Sequence, residues 1–265
     1  MTTISQPAVG LLPSTLTVAR RALLRFFRTP QEVIAGSATT AMFLLIFLYV
    51  FGGEIDIAGL AYADFLVPGF VTTGVPFTGM GTAAAVAEDL EQGVVDRLRS
   101  LPIPRASFLT GRAVADTVVQ LWGLAVAIGI GFAVGFRVHG SAPEALAAAA
   151  LLVLFGFAFV WLFILLGLFA GSAKGAQGLS FLVFPLTFIS SAYVRVDALP
   201  SWLQGFAEHQ PLTAMIDAVR ALSLGAAGQS ILPEPTGDYV LRAVLWSIAL
   251  LAIAVPLAIV RYQRS

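Results

Sequence analysis

The chain has 265 residues, 58% of them hydrophobic and 11% charged. Soluble domains carry about 25% charged residues, so this composition excludes an ordinary soluble protein and points to a bilayer. Fifteen basic and fifteen acidic side chains cancel, leaving no basic field for nucleic acid. The absence of cysteine also excludes disulfides, thiolate metal sites and cysteine nucleophiles.

The apolar runs are long and do not alternate every second residue, so helices are expected rather than a transmembrane barrel. Met1 to Leu16 has neither a basic leader nor a continuous apolar core, so the first crossing is expected to serve as the insertion signal. Before that crossing, residues 14–29 read as an amphipathic interfacial helix. At 100° per residue Leu16, Ala19, Leu23, Phe26 and Phe27 gather on one side, and Arg21, Arg25 and Arg28 on the other. Ser14 or Thr15 is expected to cap its start, and Pro30 to end it. Its arginines suit two roles, meeting anionic lipid or contacting a cytoplasmic partner.

Six spans are expected: Val33–Phe51, Phe65–Ala87, Ala113–Phe136, Ala145–Ala170, Ala176–Tyr193 and Tyr239–Val260. The fold class is therefore an all-α membrane protein in one transmembrane domain, residues 1–265. An even number of spans puts both termini on one side. That side holds Arg20, Arg21, Arg25, Arg28, Arg97, Arg99, Arg105, Arg112, Lys174, Arg261 and Arg264. Short cytoplasmic segments retain such cations, so both termini are expected in the cytoplasm.

The second connection is short and dense in charge. Val94, Val95, Leu98 and Leu101 recur at helical spacing, and Pro102 and Pro104 break the pattern. Periodic apolar residues with a charged rim favour a docking helix over residues 88–101, because a solvated loop needs neither the period nor the prolines. The last external connection, residues 194–238, is too long for a turn and should hold two short helices. Leu199-Pro200-Ser201-Trp202-Leu203 starts the first, and Pro211 opens the second. In the second, Leu212, Met215, Val219 and Leu222 form a stripe opposite Asp217 and Arg220. These helices suit either an external gate or a packed lid.

Ionisable residues inside membranes are usually functional, so their scarcity here carries information. Arg112 with Asp116, and Asp238 with Arg242, can pair one helical turn apart near an interface. No ionisable residue is expected in mid-membrane, which removes the usual machinery of a proton- or sodium-driven carrier. His139 and His209 fall in different loops and read as solvated residues. No phosphate-loop pattern surrounds Lys174, the only lysine, and neither G-x-S-x-G nor H-E-x-x-H occurs. Gly74, Gly79 and Gly81 read as sites of close helix packing.

The run Glu88-Asp89-Leu90-Glu91-Gln92-Gly93-Val94-Val95-Asp96-Arg97-Leu98-Arg99-Ser100-Leu101-Pro102, followed by Arg105 and Gly111-Arg112, resembles the cytoplasmic coupling segment of ATP-binding-cassette type-2 exporter permeases, in particular the daunorubicin-resistance-like branch. Tyr49-Val50-Phe51-Gly52-Gly53, Phe65-Leu66-Val67-Pro68-Gly69, Leu199-Pro200-Ser201-Trp202-Leu203 and Gln210-Pro211-Leu212-Thr213 resemble the same family in the same order. Many relatives have Asn-Pro where this chain has Gln210-Pro211.

The resemblance implies a six-span permease of the bacterial inner membrane. It pairs with a second permease copy, most simply an identical one, and with two copies of a separate ATPase. ATP and Mg belong to that partner; this chain binds no cofactor and has no catalytic site. Glu88, Asp89, Glu91, Gly93, Val94, Arg97, Leu98, Leu101, Pro102 and Arg105 then belong to the coupling segment, seated in a cleft of the ATPase. The amphipathic helix resembles the family's interface helix. Phe70, Phe77, Phe181, Phe184 and Phe188 are candidates to line a path for a hydrophobic drug, antibiotic or lipid, with lipid contact the simpler account of so many phenylalanines. A stand-alone secondary carrier and a non-transporting membrane scaffold are the competing classes.

Overall fold

The computed structural model describes residues 10–52, 60–94, 106–232 and 234–264, and all the regular structure it describes is helical. Among the described residues five helical stretches are long and apolar enough to cross a bilayer: Val33–Val50, Tyr62–Glu91, Ser107–Ala133, Ala142–Ala170 and Thr236–Arg264. The chain is a multi-span, all-α membrane protein.

Helix α1 (Leu11–Arg28) begins earlier than its hydroxyl residues suggest. Ser14 and Thr15 do not cap it. Ser14 lies inside the first turn and donates back to the Gly10 carbonyl at 3.1 Å, the bond available to a serine within a helix. Pro30 opens α2 (Pro30–Ile46), which continues through a π-helical turn, Phe47–Phe51. Pro30 suits this first position, because its missing N–H is one the helix would leave unpaired.

Helix α3 (Tyr62–Glu91) is the axis of the bundle and packs on most of its neighbours despite internal Pro68 and Pro76. It is followed by α4 (Ala106–Ala133) and α5 (Ala142–Ala170). At the start of α5 the Glu144 carboxylate accepts the backbone N–H and the hydroxyl of Ser141, both at 2.7 Å, as a capping glutamate should. Gly79 is a packing glycine, since a Cβ there would lie 2.0 Å from the Phe163 ring, but Gly74 and Gly81 face open space.

The expected span Ala176–Tyr193 is not one helix. It is broken into α6 (Ala173–Phe181) and α7 (Phe184–Phe188), joined by a turn at Leu182 and Val183. Pro185 supplies no amide to the Phe181 carbonyl, so the ladder loses a bond at the break, and the proline sits in the first turn of α7, where it is tolerated. The segment nevertheless follows α3 in the opposite direction. The Ala173 N–H meets Glu91 Oε2 at 3.3 Å, and a Cβ on Gly69 would meet the Ala192 backbone at 2.4 Å.

The long loop holds α8 (Ser201–His209) and α9 (Pro211–Leu224), and α10 (Thr236–Arg264) completes the bundle. Helix α9 does not turn one polar face to solvent. It is wedged among α3, α5 and α10, and Asp217 and Arg220 are covered along with the apolar stripe. Arg242 takes Glu234 rather than Asp238 as its partner, at 2.5 Å.

The bundle has two poles. At one, α1 lies along α4, and Phe108 stacks on Tyr262 near the end of α10. Gly111 permits that approach, because a Cβ there would come within 2.7 Å of Val18 Cβ and 2.8 Å of the Thr15 carbonyl. At the opposite pole the Ser223 carbonyl accepts the N–H groups of His139 and Gly140 at 2.8 and 3.0 Å. There too the Arg137 N–H donates to Asp64 Oδ1 at 2.9 Å, and His139 Nδ1 lies 3.9 Å from Asp64.

Candidate functional site

The α1 pole gathers the residues that flank the second connection. Glu88, Asp89 and Glu91 form the last turn of α3 rather than the start of a separate helix, and Gln92 and Gly93 turn the chain away from it. Gly93 has φ +64°, a left-handed conformation that glycine adopts without a side-chain penalty. Val94 is the last described residue before the gap; Arg97, Leu98, Leu101, Pro102 and Arg105 lie outside the described residues.

Across the gap, Arg112 on α4 faces Asp89 at 3.5 Å and donates to Asp116 at 2.7 Å. The two helices that carry the connection are thus joined by a partly buried chain of alternating charge. Glu88 accepts from the Gln92 amide at 2.8 Å. On α1, Arg21 and Arg28 are exposed; Arg25 falls in the same helix, with its side chain outside the described residues. Among the described residues this pole therefore carries charged side chains above an apolar base of Val86, Phe108, Leu109 and Ile164.

Between α2, α3, α4 and α7 lies a cleft of about 270 Å³. Phe70, Phe77, Phe184 and Phe188 line it; Phe181 stacks on Phe184 at 4.9 Å and stays outside the lining. Phe43, Phe47 and Tyr193 join the wall, with Thr39, Thr40, Thr73, Thr78 and Gln120 as its polar groups. None of these residues carries a formal charge. Such a wall can hold an apolar or aromatic molecule and offer it neutral hydrogen bonds.

Gln120 is buried in the middle of α4, and its amide donates to the Val75 carbonyl at 3.2 Å. A Cβ on Gly156 would lie 2.3 Å from Gln120 Oε1, so that glycine on α5 makes room for the amide. At the other end of the cleft, the Tyr193 hydroxyl and Thr73 Oγ1 are 3.1 Å apart. Thr73 passes its own proton to the Phe70 carbonyl at 3.0 Å, so Tyr193 is the donor. Its ring stacks on Phe47 with centroids 4.3 Å apart.

Behind Tyr193 sits Arg220, 1% exposed. Its Nε and Nη2 donate to the Phe65 carbonyl at 3.2 and 3.0 Å, Nη2 also to the Ser191 carbonyl at 2.9 Å, and Nη1 to Asp217 at 3.2 Å. The guanidinium lies 3.9 Å from the Phe65 ring centroid. Asp217 accepts the Ser191 hydroxyl at 2.7 Å. Burial lowers the Arg220 guanidinium to about 10 and raises the Asp217 carboxyl, and their mutual attraction opposes both shifts. A buried charge persists only when paired and hydrogen-bonded in this way.

Sequence reasoning missed Tyr193, Gln120 and the burial of Arg220. The one available signal was Gln120, a lone amide in an apolar span; the other two depend on which helices meet.

Comparison with known proteins agrees with this architecture. Residues 13–224 match the family model described as ABC-2 type transporter. The chain is 32% identical to the daunorubicin resistance ABC transporter permease protein DrrB1 of Streptomyces coeruleorubidus, over 81% of this chain and 76% of that protein. It is 26% identical to the probable doxorubicin resistance ABC transporter permease protein DrrC of Mycobacterium tuberculosis, over 98% and 92%. With the inner membrane transport permease YadH of Escherichia coli it shares 27% identity over 76% and 79%. A match across most of the chain, on a multi-span helical fold whose second connection leaves and returns at a charged pole, establishes that the chain belongs to the ABC-2 type transporter family, as a membrane permease component without an ATPase site of its own.

Proposed function

We propose that this chain is the membrane half of an exporter driven by a separate ATPase, which docks at the α1 pole and moves the segment between α3 and α4. The observation that carries this reading is the Asp89–Arg112–Asp116 chain. It ties together the two helices on either side of that segment, so a push on the segment is delivered to both. Family membership supplies the ATPase as partner. A second copy of this chain completes the complex as a homodimer.

In this reading the chain crosses six times, with α6 and α7 together as the broken fifth crossing. The 22-residue interval from Gly69 to Glu91 on α3, which that segment follows, is about 33 Å long at the helical rise and matches a hydrocarbon core of about 30 Å. Six crossings put both termini in the cytoplasm, in agreement with the arginine distribution. The uncharged aromatic cleft carries the cargo, a hydrophobic drug-like compound, antibiotic or lipid. Two relatives named for daunorubicin and doxorubicin resistance support that class.

The test is reconstitution with and without an ATP-binding-cassette ATPase subunit as partner. The chain alone should show no ATP turnover, and the complex should show cargo-stimulated turnover and flux. Gly93→Pro and Leu98→Asp should abolish stimulation and capture of the ATPase while the protein still inserts. Normal stimulated turnover and transport in both variants would overturn the reading.

A further inference from the structure

Tyr193 and Arg220 together form a structural unit at one end of the cleft. The ordering of the cleft along the bundle axis follows from its helices. Helix α3 runs from Tyr62 at the α9 pole toward Glu91 at the α1 pole, and it contributes Phe70, Thr73 and then Phe77 and Thr78 to the wall. Helix α2 runs the other way and brings Phe47 to the same level as Phe70, the two rings 6.5 Å apart. The end of the cleft nearer α9 is thus lined by Phe47, Phe70 and Tyr193, with Phe188 5.5 Å from Tyr193.

Tyr193 differs from the other three in two respects. It is the only one of them with a hydroxyl, and it sits just past α7 in the turn that Arg220 grips. Arg220 reaches the Ser191 carbonyl and the Phe65 carbonyl at once, and Gly69 lets Ala192 press against α3. The chain at Ser191–Ala192 is therefore pinned to the first turns of α3 by the guanidinium from behind, and Tyr193 is pinned to Thr73 from in front. Phe47 stands at the first residue of the π-helical turn, an irregularity that places its ring over Tyr193 and that commonly marks functional positions.

We propose that Tyr193 is the outer gate of the aromatic cleft and that Arg220 is the positioning residue holding it closed. Opening requires the Tyr193 hydroxyl to leave Thr73 and the ring to slide off Phe47. Both are small local steps, available without unfolding any span. The inference rests on the reading of the cleft as the cargo path and of the α9 pole as external.

The absence of native cysteine allows a direct test on the full chain in right-side-out native membranes. Gly74 lines the cleft with open space around its Cβ position, so Gly74→Cys places a thiol beneath the gate. A cationic, membrane-impermeant methanethiosulfonate reagent is the probe, and Glu208→Cys on the exposed face of α8 is the outside control. With Tyr193 intact, the thiol at 74 should react slowly. Tyr193→Phe removes one hydrogen bond and keeps the ring, and should raise the rate about five- to tenfold. Arg220→Lys keeps the charge but not the fork of donors, and should raise it similarly; Tyr193→Ala should raise it further.

Unchanged labelling in Tyr193→Phe and Tyr193→Ala, with both variants inserted at normal levels, would overturn the gate. Fast labelling with Tyr193 and Arg220 intact would do the same. Because labelling needs no cargo, gated reactivity without any ATP-driven flux would instead count against the transport reading and leave the gate standing. An unreactive thiol at 208 would overturn the orientation, and with it both readings.

Discussion

Arg112 stands 3.5 Å from Asp89 and 2.7 Å from Asp116, one guanidinium shared by two carboxylates on two helices. Its side chain is 17% exposed, so water screens the group only in part. Arg112→Gln should destabilise the bundle by about 1–2 kcal/mol, since two partly covered carboxylates lose their cation. Thermal unfolding in detergent measures this. Asp116→Asn in the same background should recover part of the loss by removing one of the stranded charges.

Gly111 seats α1 on α4 at Val18 and Thr15. Gly111→Leu overfills that contact and should cost about 1–3 kcal/mol. The loss is local, so α1 should lift before the bundle unfolds. Trypsin cleavage at Arg20 or Arg21 should accelerate in intact inverted vesicles while the spans stay protected. Unchanged cleavage would show that the contact does not anchor α1.

Gly156 and Gln120 should behave as a coupled pair. Gly156→Ala pushes a methyl into the amide oxygen, which lies 2.3 Å from the ideal Cβ position, and should destabilise by about 1–3 kcal/mol. In a Gln120→Ala background the same change should be nearly neutral. Additive losses in the double variant would mean that the amide does not occupy that space.

Gly93 holds φ +64°, and among the described residues no atom lies within 4 Å of an added Cβ. The penalty for a side chain follows from the backbone conformation. Gly93→Ala should cost about 1 kcal/mol and Gly93→Asn less, because asparagine tolerates the left-handed region. If the turn sets the direction in which the chain leaves α3, stimulated ATP turnover should fall in the order Gly, Asn, Ala.

The long spans were legible because an apolar run of sufficient length has few other uses. The break in Ala176–Tyr193 was not, since hydropathy counts side chains and is indifferent to the amide that Pro185 lacks. Arg220 was misread for a related reason. A helical wheel can place it opposite Leu212 and Met215, but only tertiary structure can supply Phe65 and Ser191 carbonyls in place of water. Four of the five phenylalanines considered as a path do meet in one cleft. Nothing in their spacing distinguished them from Phe181, which stacks one position outside it. Tyr193 was invisible at that stage because its partners, Phe47 and Thr73, are distant in the chain.

The uncharged wall of the cleft has an electrical consequence. The membrane potential does work of about 2.3 kcal/mol per elementary charge per 100 mV, but Phe47, Phe70, Thr73, Gln120 and Tyr193 carry no formal charge. Rearranging those side chains therefore moves no gating charge through the field, and voltage sensitivity in a transport cycle has to originate in the cargo or at the two poles.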